Sequence, residues 1–150
     1  MTRSSTLKGC AALKGCAAII AIAMAPAIAR ADDHSFDGSW DTVLSCENAA
    51  GALGYSFKFI SSVKDGVLHG EKGTKGKPGW LQLDGKILPE GSANLYVDGL
   101  VGAAETAVGR RPAGTEYGYH VDTKFSGNSG TGKRVEGRPC SVAFTKKPSR

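Results

Sequence analysis

Few residues of this chain are spaced for catalysis. Its three histidines, His34, His69 and His120, are scattered along 150 residues, and no serine sits in the G-x-S-x-G elbow of a hydrolase. Read as strands, the surrounding segments put His120 on one face with Asp122 and His69 on one face with Glu71. Such pairs could serve as acid and base, but strand alternation by itself generates outward polar pairs of this kind. Gly127-Asn-Ser-Gly-Thr-Gly-Lys133 follows the start of a phosphate loop, whose last position offers a hydroxyl to magnesium. That position is Arg134, no amphipathic helix follows, and the segment reads as a hairpin. The sequence therefore predicts neither an enzyme nor a cofactor. One metal arrangement is available at Asp32-Asp33-His34. As a free amino terminus, its amine, two deprotonated amides and the His34 imidazole would form a square plane of nitrogens suited to Cu(II) or Ni(II). The alternative is an ordinary acidic tail.

That terminus depends on export. Arg3, Lys8 and Lys14 precede an uncharged apolar run from Gly15 to Ile28, and Ala27-Ile28-Ala29 and Ala29-Arg30-Ala31 both fit an A-x-A cleavage site. Residues 1–31 are thus expected to be a signal peptide, cut after Ala31 or Ala29, and residues 32–150 an exported domain, periplasmic or secreted. The apolar run is too short to span a bilayer, and no later segment is apolar enough. Four of the nineteen basic residues (Arg3, Lys8, Lys14, Arg30) leave with the leader, so fifteen remain against all fourteen acidic ones, a net charge of +1. Overall charge gives no argument for nucleic acid. Cys10 and Cys16 leave as well. Cys46 and Cys140 are too far apart for a zinc knuckle and lack a flanking histidine, and in an oxidising compartment such a pair forms a disulfide.

Beyond residue 31 no helical period is sustained. Short alternating segments punctuated by glycine turns predict an antiparallel all-β domain. About eight strands are expected: Trp40 to Cys46, Tyr55 to Val63, Val67 to Lys72, Trp80 to Leu88, Ala93 to Leu100, Tyr117 to Phe125, Thr131 to Glu136 and Cys140 to Thr145. The second, fourth and sixth connections are tight, whereas Glu47 to Gly54, Gly73 to Gly79 and Val101 to Glu116 are long or glycine-rich. Successive turns of an up-and-down meander fall at alternate ends. One end is then shut by hairpins and the other carries the long loops, as in small closed barrels with a mouth. The two cysteines end the first strand and begin the last. Pairing them would staple the closure and set Leu44 opposite Val142, Thr42 opposite Phe144, and Trp40 opposite Lys146, with the lysine capping the indole face.

Gly38-Ser39-Trp40 on the first strand, with a cation on the last strand reaching that tryptophan, resembles the calycins, the lipocalin and avidin superfamily. Phe36-Asp-Gly-Ser-Trp40, Val63-Lys-Asp-Gly-Val-Leu-His-Gly70, Gly114-Thr115-Glu116-Tyr117 and Arg138-Pro-Cys140 are similar to a family of small exported bacterial β domains. The second resemblance covers most of the chain beyond residue 31 and brings no activity with it.

These readings converge on a single small antiparallel barrel, calycin-like, that binds a small molecule or an exported protein at its long-loop end. Lys75 and Lys77, Arg110 and Arg111, and Arg138 fall on three connections of that end, where Glu47, Glu105 and Glu116 are the acidic residues. A basic rim would favour an anionic or hydrogen-bond-rich partner. The alternative is an inhibitor of an exported protease or other hydrolase, since small periplasmic inhibitors use a similar barrel and plug the enzyme cleft with an N-terminal segment or loops. Tyr55, Phe57, Phe59, Trp80, Tyr117, Tyr119 and Phe125 are expected to fill the interior, as side chains can in so small a barrel.

Overall fold

The computed structural model describes residues 34–148; the expected signal peptide, its cleavage sites, Asp32 and Asp33 lie outside the described residues. Eight antiparallel strands form in the order β1 (Gly38–Cys46), β2 (Tyr55–Lys64), β3 (Val67–Lys72), β4 (Leu81–Lys86), β5 (Ser92–Leu100), β6 (Glu116–Ser126), β7 (Ser129–Arg134) and β8 (Cys140–Lys146). Each pairs with its sequence neighbour, and β1 pairs with β8 to close the barrel. Among the described residues no helix is long and apolar enough to cross a membrane.

The closing register follows from the inward rows of the two terminal strands. Cys46 lies opposite Cys140, Leu44 opposite Val142, Thr42 opposite Phe144 and Trp40 opposite Lys146. The two cysteines are joined by a disulfide spanning 94 residues of chain. At the other end of the seam the Lys146 ammonium sits 5.7 Å from the Trp40 ring centroid.

The tight connections shut one end. Asp65 and Gly66 both take positive φ, the conformation a two-residue hairpin needs to match strand twist. The arm preceding β1 completes the closure. Phe36 is buried with its ring centroid 5.8 Å from that of Phe125. Trp40 meets the same Phe125 edge-on at 5.4 Å and donates Nε1–H to the Phe36 carbonyl at 2.9 Å. The Asp37 carboxylate accepts the amides of Asp65 and Gly66, each at 3.0 Å. Below this cap the interior is packed with Leu44, Leu68, Leu83, Leu95, Val97, Val121 and Phe144, and the hydroxyls of Thr42 and Ser61 within it are mutually bonded at 2.7 Å.

The strand β7 contributes no bulk to this core. Its inward positions are Gly130 and Gly132, where a Cβ would come 2.6 Å from the Phe125 ring and 2.3 Å from the Thr123 methyl. The third inward position is Arg134. Toward the long loops the inward residues of β2 and β6 are aromatic rings that line the wall, several with a cation over the face: Lys72 over Phe57 at 4.1 Å, Arg134 over Tyr119 at 3.9 Å and Arg138 over Tyr55 at 5.2 Å. The interior is therefore filled at the closed half and hollow at the other, which differs from the filled barrel that the aromatic content suggests.

Candidate functional site

The hollow half is a cavity of about 490 Å³, inside the ~300–1,000 Å³ range of small-molecule sites. Alternation on β2 turns Tyr55 and Phe57 inward, and alternation on β6 does the same for Tyr117 and Tyr119. Tyr117 and Tyr119 stack with centroids 6.1 Å apart, and Tyr55 and Phe57 lie 4.7 Å apart. The end of β5 supplies Leu100, and the long connection after it supplies Val101, Ala103, Ala107 and Val108. That connection is shaped by two short 3-10 turns, Ala104–Thr106 and Val108–Arg110. It is tied across the mouth to the β1–β2 loop by a Leu53 amide bond to the Glu105 carbonyl at 2.8 Å.

Among the described residues four cations line the cavity, Lys72, Arg111, Arg134 and Arg138, and no carboxylate does. None of the four joins an ion pair among the described residues. Three of them bond backbone carbonyls. Lys72 donates to Gly79 at 3.4 Å and Arg111 donates to Glu116. Arg138 donates to the carbonyls of Glu47, Thr106 and Leu53. Arg134 differs, because its Nε is buried with no hydrogen-bond partner. The Tyr119 hydroxyl is also buried without one, and the neighbouring Tyr55 phenol acts on its ionisation. Burial pushes the pKa values of Tyr55, Tyr117 and Tyr119 up, against a weaker opposing pull from the nearby arginines. The three phenols consequently stay protonated at neutral pH and can donate.

All five basic residues singled out in the sequence lie on connections of this end, but they divide by role. Arg111 lines the mouth. Arg138 is only 7% exposed and is turned inward as a clamp on the β1–β2 loop and the β5–β6 connection, instead of standing on a rim. Arg110 is exposed with φ +49°. Lys77 is exposed, and Lys75 lies 5.6 Å from the Trp80 ring. Sequence reasoning missed Lys72 and Arg134. Parity along β7 was the available signal, since counting in twos from Gly130 places Arg134 inward.

The remaining chemical candidates stay outside the barrel. His69 pairs with Asp84 on β4 at 2.6 Å, while Glu71 accepts the Trp80 indole at 2.6 Å. His120 faces Glu136 at 3.4 Å, and Asp122 accepts the Asn94 amide at 2.6 Å. Neither same-face pair is hydrogen bonded to itself. Gly127 and Asn128 form the β6–β7 turn, and Ser129 to Arg134 continue as strand, so the phosphate-loop-like run is a hairpin. His34 Nδ1 lies 3.0 Å from Asp37 and 3.4 Å from Asp65, and the three side chains can bring ligand atoms within 4.8 Å of one another. The amine of Asp32 and the amide of Asp33, which the proposed square plane needs, lie outside the described residues.

Compared with known proteins, the chain matches no family model, no curated protein and no solved structure.

Proposed function

We propose that this chain is an exported, non-enzymatic binding domain that holds a small molecule in the cavity at its long-loop end. The observation that carries this reading is the division of the barrel interior. One half is packed shut, whereas the other keeps about 490 Å³ open behind an aromatic wall. Enclosed sites with apolar walls and a few convergent polar groups are where small ligands bind. Export is supported by the leader-like segment and by the disulfide, which persists in oxidising compartments. The similarity of the Phe36 to Trp40 and Val63 to Gly70 segments to small exported bacterial β domains, and of Gly38-Ser39-Trp40 to calycins, points the same way. The inhibitor reading draws less support for the N-terminal arm as the plug, because that arm is bound to the closed end through Phe36 and Asp37.

The test is displacement by filling. An apolar fluorescent probe such as 1-aminoanthracene should bind the wild-type domain, and Ala107→Trp should abolish binding while leaving the melting temperature nearly unchanged. Probe binding that survives Ala107→Trp would move the site elsewhere on the molecule.

A further inference from the structure

We propose, resting on the small-molecule reading above, that the ligand is an amphiphilic organic acid: its single anionic headgroup sits between Arg134 and Tyr119, and its apolar body runs outward past Leu100 to Val108. Buried polar groups in folded proteins are almost always paired, and each one left unpaired costs about 1–3 kcal/mol. Two of them, Arg134 Nε and the Tyr119 hydroxyl, belong to residues that line one cavity and touch each other, the guanidinium lying 3.9 Å from the ring centroid. A ligand that brings an acceptor to this spot would satisfy both.

Both groups are donors, which fixes the polarity of what they receive. A guanidinium has no acceptor, and the buried phenol remains protonated. With four cations and no carboxylate on the lining, an anion is favoured over a neutral acceptor. The number of headgroups follows from which cations are already committed. Lys72, Arg111 and Arg138 donate to backbone carbonyls, whereas Arg134 donates no hydrogen bond among the described residues. One uncommitted guanidinium suits one carboxylate, which it can bind through two parallel bonds. The rest of the wall, Phe57, Leu100, Val101, Ala107 and Val108, offers apolar contact and would leave a second charge unpaired, so polyanions are disfavoured.

The experiment compares decanoate with 1-decanol by calorimetric titration of the exported, disulfide-bonded protein. These probes share a chain and differ in charge. Decanoate should bind about tenfold to a hundredfold more tightly than decanol, the range expected for hydrogen bonds to a charged group. Arg134→Met should weaken the acid far more than the alcohol and so close most of the gap between them. Tyr119→Phe should weaken decanoate several-fold without lowering the melting temperature, because it removes an unpaired buried hydroxyl; it also keeps the test open if Arg134→Met does not fold. Equal affinity of acid and alcohol in the wild type would overturn the anionic headgroup and leave the cavity reading standing. Failure of both probes, and of the apolar dye, would sink the two together.

Discussion

The indole of Trp40 and the carbonyl of Phe36 are joined by a 2.9 Å hydrogen bond buried at the closed end of the barrel. Through it the arm before β1 becomes part of the core, with Phe36 and Trp40 converging on Phe125. The packed half of the barrel, which this arm completes, lies at the opposite end from the cavity.

That separation predicts how closed-end variants behave. Phe36→Ala removes a buried ring and should cost about 3–5 kcal/mol. Trp40→Phe leaves the Phe36 carbonyl without its donor, a loss of about 1–3 kcal/mol on top of the lost volume. Urea unfolding followed by circular dichroism gives both numbers. At temperatures well below their melts, both variants should bind ligand at the open end as the wild type does.

Reduction of the Cys46–Cys140 disulfide should destabilise the domain strongly. The crosslink closes a loop of 94 residues, worth about 4 to 5 kcal/mol if it acts through the unfolded chain's entropy. A Cys46→Ala/Cys140→Ala double variant should unfold at correspondingly lower denaturant while keeping the β1–β8 amides protected from exchange. Loss of protection confined to that seam would show that the strands need the covalent link to stay paired.

The acid limb of stability should pass through Asp37. Partial burial pushes its pKa up, but the amides of Gly66 and Asp65 and the His34 imidazole together outweigh this and hold it below the ordinary carboxylate value. A depressed folded-state pKa contributes stability above the unfolded value, about 3.9, and loses it as pH falls through the folded one. Melting temperature should decline as the pH drops from about 5 toward 2. Asp37→Asn should be less stable at pH 7 and show a shallower decline. Parallel curves for the two proteins would exclude Asp37 as the anchor.

Among the basic residues of the open end, effects should split three ways. Arg138→Met strips three loop carbonyls of their donor and should lower the melting temperature while loosening residues 47–54 and 101–111 in hydrogen exchange. Arg111→Glu, at the mouth, should weaken an anionic ligand with little change in stability. Arg110→Glu should alter neither by much. A loss of binding from Arg110→Glu equal to that from Arg111→Glu would point to a protein partner on the outer rim.

Most of the scaffold was legible because period-two alternation is strong where apolar and polar residues take turns, as from Trp40 to Cys46 and from Tyr117 to Phe125. Pairing the two cysteines then set the closing register down to Trp40 opposite Lys146. The strand boundaries were least legible at β7, expected over Thr131 to Glu136 and observed over Ser129–Arg134. Its inward face carries glycines, which give no hydrophobic signal, and this hid Arg134. Arg138 misled for a related reason. A charged residue on a connection reads as exposed unless the loop carbonyls that surround it are known, and those come from segments 32 and 91 residues away in sequence.

The described chain begins and ends on the same side of the barrel. The Lys146 ammonium donates to the Ser35 carbonyl, and the Lys147 amide donates to the Ser39 carbonyl at 2.8 Å, so residues 34 and 148 leave together from the closed end. Anything attached at either terminus, whether a tether, a surface or a fused domain, would act as a handle at the back of the cup and hold the rim facing outward.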